Sequence, residues 1–321
     1  VHRNDHQASD SLPQHQTSEC GSEISQKDFE ELAFGHSHQS QEGVSGPQTS
    51  RRKNQHQLGS QVQPHVAHRL QNLVQGIQLV STKHLPTSFQ SVFSFANFNA
   101  VQSKCFDFVY GSNDNLVLSS PTGSGKTVVF ELAICRLHST LTSGTYKIVY
   151  QAPTKALCTE RARDWKRKFQ PLGLNCTEFT GDSEKTSLNQ IRDAEIIITT
   201  PEKWDSMTRR WKDQKKLMLL IKLFLIDEIH MLKDERGATL EAVVSRMKSI
   251  DSNVRFVALS ATIPNAEDIA AWIGQNPRLQ SLPAKLEVFG ENFRPVVLQK
   301  HVVGFDGGQN MFQFDSTLSK Q

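Results

Sequence analysis

Apolar residues are sparse from Val1 to about Leu85 and become periodic after it. The second half of the stretch Val92 to Tyr110 has helical spacing, with Val101, Cys105, Phe108 and Val109 on one face. A short apolar strand beginning at Leu116 runs into a glycine-rich turn, and Val128 to Leu137 reads as an amphipathic helix. Further on, strands are predicted at Lys147 to Tyr150, Leu174 to Phe179, Ile196 to Thr200, Leu223 to Ile226 and Phe256 to Leu259, with a helix from about Ala156 to Phe169. Short, wholly apolar strands alternating with helices predict an α/β fold: a parallel sheet with helices on both faces. Ligands of such sheets gather beyond the carboxyl ends of the strands. Here those ends carry polar clusters at Ser119 to Thr127, Ala152 to Lys155, Thr199 to Lys203, Asp227 to His230 and Ser260 to Thr262.

The first cluster has the chemistry of a triphosphate cradle. Backbone N–H groups of Gly123, Ser124 and Gly125 can line a concavity for a β-phosphate, Lys126 can reach the β- and γ-phosphates, and Thr127 can place its hydroxyl on Mg²⁺. Ser120 stands where the strict glycine-loop pattern has its first glycine. In the cluster after Leu223 to Ile226, Asp227 can hold Mg²⁺ through water, and Glu228 can polarise the water that attacks a γ-phosphate. Two adjacent carboxylates after a buried strand are costly unless a cation or hydrogen bonds satisfy them. His230 is expected to lie exposed near the nucleotide, and Gln102 has one donor and one acceptor to match an adenine edge.

Composition changes the picture at the amino-terminal end. Residues 1–85 are rich in Gln, Ser and His, hold nine of the twelve histidines, and cannot bury a core, which predicts a disordered tail. The histidines there, His36 and His38 included, have neither recurring spacing nor paired cysteines, so a solvated tail is favoured over a metal site. Net charge is +3, with basic clusters at Arg161, Arg163, Lys166, Arg167, Lys168 and at Arg209, Arg210, Lys212, Lys215, Lys216. The five cysteines show no C-x-x-C pairing, the usage of a reducing compartment. No apolar run approaches a membrane span, so no membrane partner is expected. Val1 is not an initiator Met and no terminating element precedes Gln321, which gives the expectation of a piece of a longer protein.

In order along the chain, PTGSGKT (121–127), APTKAL (152–157), TGD (180–182), TTPEKWD (199–205), DEIH (227–230) and SAT (260–262) resemble the first-domain motif series of superfamily 2 DExH-box helicases. The surrounding text, such as FNAVQSKCFD, GKTVVFELAI and SATIPNAEDIAAWIG, is similar to the meiotic crossover-promoting DNA helicases of the Mer branch. The spliceosomal RNA-helicase branch shares TPEKWD, DEIH and the RG-x-x-LE run at Arg236 to Glu241, so an RNA-remodelling ATPase remains open, as does a non-catalytic nucleic-acid-binding product.

The resemblance implies a RecA-like, P-loop fold using ATP and Mg²⁺, with ATP held by Gln102, Pro121, Thr122, Gly123, Ser124, Gly125, Lys126 and Thr127, and Mg²⁺ by Thr127 and Asp227. It gives catalytic roles to Lys126, Asp227, Glu228 and His230. Pro153, Thr154, Lys155, Thr180, Gly181, Asp182, Thr200, Pro201 and Glu202 would track single-stranded or branched DNA, and Ser260, Ala261 and Thr262 would couple nucleotide state to strand movement. It also implies 3′ to 5′ unwinding in meiotic recombination, in the nucleus, by an enzyme whose second RecA-like domain supplies the arginines of the transition state. The expected layout is a tail over 1–85, a first RecA-like domain over 86–290, and a linker with the start of the second domain over 291–321.

Overall fold

Side chains alternate along a strand, so a strand buried on both faces feeds two cores at once. The computed structural model describes residues 73–181, 188–250, 253–302 and 315, and the five central strands of its large sheet do this. The strands of that sheet are β3 (Leu116–Ser119), β4 (Lys147–Gln151), β5 (Cys176–Phe179), β6 (Ile196–Thr199), β7 (Ile221–Ile226), β8 (Arg255–Ser260) and β9 (Lys285–Val288), after a small hairpin of β1 (Leu73–Val74) and β2 (Ile77–Gln78). The seven pair in parallel in the order β5-β6-β4-β7-β8-β3-β9.

One core takes Leu116, Leu118, Ile148, Tyr150, Ile196, Ile198, Leu223 and Leu225 from the sheet. The other takes Val117, Val149, Ile197, Phe224 and Ile226. Full burial of each such side chain stabilises the fold by about 1.5–3 kcal/mol relative to exposure.

The helices are α1 (Thr87–Gln90), α2 (Ala100–Gly111), α3 (Thr127–Thr140), α4 (Lys155–Phe169), α5 (Leu188–Asp193), α6 (Pro201–Thr208), α7 (Lys215–Leu220), α8 (Gly237–Ser249) and α9 (Ala266–Ile273). Phe130, Trp165 and Phe169 from α3 and α4 fill the first core, and Trp204, Val243, Val244 and Ile269 from α6, α8 and α9 fill the second. Cys105, Cys135 and Cys158 are free thiols that serve as small apolar groups in the first. No helix among the described residues is long and apolar enough to cross a membrane.

The expectation of disorder through Leu85 is corrected from residue 73 onward. Gln75 and Gly76 both adopt positive φ, 50° and 76°, which closes the β1–β2 turn. Ser81 bridges Asn97, and Leu85 is buried in the first core. Polar composition conceals this because the hairpin is short and largely exposed. Residues 1–72, with His36 and His38, lie outside the described residues, as do Asp182 and 303–314.

Buried Asp205 joins α6 to α8. Its Oδ1 accepts from Arg246 Nη1 at 2.9 Å and its Oδ2 from Arg209 Nε at 2.7 Å, while the same Arg246 nitrogen donates to Thr208 Oγ1 at 2.8 Å. Burial alone would raise the Asp205 carboxyl, but the two arginines outweigh it and hold it below the ordinary carboxylate range. A depressed value means the stabilisation is present above the unfolded value of about 3.9 and is lost as pH falls through the lower folded value. Arg246→Met is therefore expected to lower stability by about 2 kcal/mol at neutral pH. Urea unfolding along a pH series should show the gap to the parent chain closing below about pH 4.

Candidate nucleotide site and nucleic-acid rim

The turn after β3 is shaped by its glycines and held from behind by α2. Gly123 and Gly125 have φ of 83° and 81°, the left-handed region that favours glycine. A Cβ on Gly125 would lie 2.6 Å from Gln102 Nε2 and 3.0 Å from Asn99 Nδ2, because these two amides hold the loop. Asn99 Nδ2 donates to Ser124 O at 2.9 Å and Gln102 Nε2 to Gly125 O at 3.0 Å. Asn99 also caps α2 in a capping box with Gln102, whose Oε1 accepts from Asn99 N at 2.9 Å. Gln102 is thus a buried brace of the loop, and each half of its amide retains capacity for one further hydrogen bond.

Lys126 lies inside the turn, donating from Nζ to Ser120 O at 2.8 Å and Pro121 O at 3.1 Å. Ser120, in the first-glycine position, is fully buried and shares a 2.7 Å hydroxyl contact with Ser124. Burial pulls the Lys126 ammonium below the ordinary lysine range; Glu228 and then Asp227 oppose it, and Arg294 adds to it. Thr127 opens α3, half-buried, at the mouth of the turn, and Thr122 and Gly123 are exposed. Arg294 belongs to none of the motifs, yet its guanidinium bonds Thr122 O and Glu291.

Asp227 and Glu228 leave β7 two strands away from β3. Asp227 Oδ2 accepts from Tyr150 Oη at 2.7 Å, and its Oδ1 accepts from Glu228 N at 3.1 Å. Glu228 has a φ of 53°, uncommon outside glycine, and its Oε2 lies 3.3 Å from His230 Nδ1 without hydrogen-bond alignment. Burial first, and Asp227 second, raise the Glu228 carboxyl; His230, Lys126 and the Ala261 backbone oppose them. His230 is half-buried and 3.5 Å from Ser260 Oγ. Ser119 Oγ donates to Ala261 O at 3.2 Å, so the end of β8 is tied to the start of the turn, and Thr262 is exposed beyond it.

Sheet order divides the rim. Loops after β7, β8 and β3 form one half, and the ends of β5, β6 and β4 form the other. Thr154 caps α4 by accepting from Leu157 N at 3.3 Å, Pro153 is half-buried before it, and Lys155 is exposed. A Cβ on Gly181 would lie 3.4 Å from Lys155 Nζ, so the second and third motifs meet in space. Thr180 and Thr200 are buried, Pro201 opens α6, and Glu202 pairs with Arg236. The N-termini of α4 and α6 both lie at this half.

The second basic cluster divides. Lys215 and Lys216 open α7, which delivers the chain to the amino end of β7. With Lys147, Arg192 and Lys212 they border a cavity of about 750 Å³ away from the rim. Nearness in sequence to TPEKWD is not nearness in the fold.

This sheet, with its helices and loaded carboxyl rim, is a RecA-like helicase fold. The chain belongs to the DEAD/DEAH box helicase family, which it matches over residues 99–269. It is 52% identical over 259 residues to "Probable ATP-dependent DNA helicase HFM1" of Homo sapiens, an alignment covering 75% of this chain and 18% of that protein. Against "ATP-dependent DNA helicase MER3" of Saccharomyces cerevisiae it is 48% identical over 245 residues, covering 75% of this chain and 20% of that protein. It is also 42% identical to "DExH-box ATP-dependent RNA helicase DExH12" of Arabidopsis thaliana over 66% of this chain and 10% of that one. The chain thus spans a fifth or less of these relatives' lengths. Among solved structures, the DUF1998 helicase MrfA bound to DNA and AMPPNP aligns with a TM-score of 0.54 at 22% identity, over 67% of this chain and 30% of that one.

Proposed function

We propose that the chain is the first motor domain of an ATP-dependent DNA helicase acting in meiotic recombination in the nucleus. ATP binds on the half of the rim made by β7, β8 and β3, with its phosphates in the turn from Pro121 through Thr122, Gly123, Ser124 and Gly125, Lys126 on the β- and γ-phosphates, and Gln102 within reach of the base. Thr127 and Asp227 would hold Mg²⁺, which screens charge developing on the phosphates. Glu228 orients and deprotonates the attacking water, with His230 beside it.

A single strand of DNA lies across the ends of β4, β5 and β6, against Pro153, Thr154, Lys155, Thr180, Gly181, Asp182, Thr200, Pro201 and Glu202. Helix N-termini and strand-end amides suit its phosphates. Ser260, Ala261 and Thr262 report the nucleotide state to a second RecA-like domain, which residues 291–321 would lead into and which supplies the arginines of the transition state. The observation that carries this reading is the division of one rim into two adjoining polar halves.

Purified chain 1–321 is expected to bind Mg²⁺·ATP weakly, hydrolyse it slowly and fail to unwind a 3′-tailed duplex. Titration with oligodeoxythymidylate and with oligouridylate of equal length should favour the DNA. Binding confined to RNA would transfer the assignment to RNA remodelling, the reading favoured by the 42% identity to the Arabidopsis RNA helicase. Robust unwinding by 1–321 alone would overturn the requirement for a second domain.

A further inference from the structure

The two halves of the rim meet between β4 and β7, and one buried side chain crosses that seam. Tyr150 on β4 is 1% exposed and donates its hydroxyl to Asp227 Oδ2, just beyond β7, at 2.7 Å. Asp227 N–H in turn donates to Gln151 O on β4 at 2.9 Å. The Tyr150 ring is fixed edge-on between Trp165, with centroids 5.0 Å apart, and Phe130, at 5.7 Å. Arg161 on α4 lies 5.6 Å over the Trp165 ring. That helix begins with Lys155, capped by Thr154, on the other half of the rim. A rigid aromatic thus connects the helix behind the PTK turn to the first carboxylate of DEIH.

We propose that Tyr150 is a positioning residue for Asp227. Resting on the reading of Asp227 as a Mg²⁺ ligand, the proposal adds which group fixes the carboxylate's rotation and through which helix that group is held. Two donors, Tyr150 Oη and Glu228 N, each take one carboxylate oxygen. A carboxylate has about four lone-pair sites, so the remaining ones would be open to the waters of a bound cation. A packed hydroxyl sets that direction better than water, because its ring cannot turn without displacing Trp165 and Phe130. Groups that orient a metal's ligands typically change metal affinity or activity by about 10–100-fold when removed. Arg161, which backs the Trp165 ring that Tyr150 packs against, acts in the same sense and more weakly.

The test is binding of a fluorescent ATP analogue to chain 1–321, titrated with Mg²⁺ and compared with binding in EDTA. Tyr150→Phe keeps the ring and deletes the hydroxyl. It is expected to raise the Mg²⁺ concentration at half-effect about 10-fold while leaving binding in EDTA unchanged, a split that a general loss of packing would not give. Arg161→Gln should shift the half-point in the same direction by less than about 10-fold, and it carries the test if Tyr150→Phe fails to fold. An unchanged half-point in folded Tyr150→Phe, with the parent chain responding to Mg²⁺, overturns the positioning role and leaves the nucleotide reading standing. If the parent chain binds no analogue with or without Mg²⁺, the nucleotide reading itself falls, and this inference falls with it.

Discussion

Replacing Lys126 by alanine is expected to abolish Mg²⁺-dependent ATP binding at micromolar protein and to lower hydrolysis by about 10²–10³-fold, the usual cost of deleting one preorganised charge from a reacting site. The Nζ is held 2.8 Å from Ser120 O and 3.1 Å from Pro121 O, and it is a desolvated cation poised where phosphate oxygens would replace those carbonyls. Removing it leaves two carbonyls short of a donor, at about 1–3 kcal/mol for a buried group, but also removes a buried charge that was costly to desolvate. These effects oppose each other, so the melting temperature should move by only a few degrees. Calorimetric titration with ATP beside a thermal melt separates the outcomes. Nucleotide binding equal to that of the parent chain would end the case for this turn as a phosphate site.

Glu228→Gln should separate binding from turnover. Glutamine keeps the size of the side chain and tolerates the φ of 53° as well as glutamate does, so the turn after β7 is expected to survive. General-base contributions are typically worth about 10²–10⁴-fold, and hydrolysis should fall within that range. Binding of ATP should hold or tighten, since burial and Asp227 both disfavour the charge that the substitution removes. Single-turnover assays with radiolabelled ATP give rate and occupancy together. A variant hydrolysing at the parental rate would take the water-activating role away from Glu228.

Most of this architecture could be read from the chain because it is built from strands buried on both faces. Leu223 to Ile226 admits few interpretations, and its neighbours in the sheet, Ile148 to Tyr150 and Phe256 to Leu259, repeat its pattern. Edges are where pattern fails. β9 (Lys285–Val288) alternates no clear apolar face, being half-exposed on the rim of the sheet, and it was not anticipated. The β1–β2 hairpin escaped for the same reason.

Within the site, residues on one short stretch were legible, since Gly123, Gly125, Lys126 and Thr127 imply one another. Contacts between distant stretches were not. Nothing in the spacing joins Tyr150 to Asp227, Asn99 to Ser124, or Arg294 to Thr122; sheet order and helix packing bring each pair together. Gln102 was singled out for a base and is found bracing the loop, two uses that one amide can combine. In the second basic cluster, Lys212, Lys215 and Lys216 follow TPEKWD in sequence yet border a cavity with Lys147 and Arg192.

The order of strands also sets a schedule for synthesis. β3, which carries the glycine turn, is the earliest strand of the large sheet to leave the ribosome, but its two partners are the last, β8 and β9. Until Lys285–Val288 has emerged, one edge of β3 is unpaired, and Phe289 N–H, which donates to Ser119 O at 2.9 Å, has not been made. Parallel pairings across such separations form late. Until then the edge of β3 that β9 will cover, Leu116 to Leu118, stays unpaired, an apolar segment of the kind that chaperones shield.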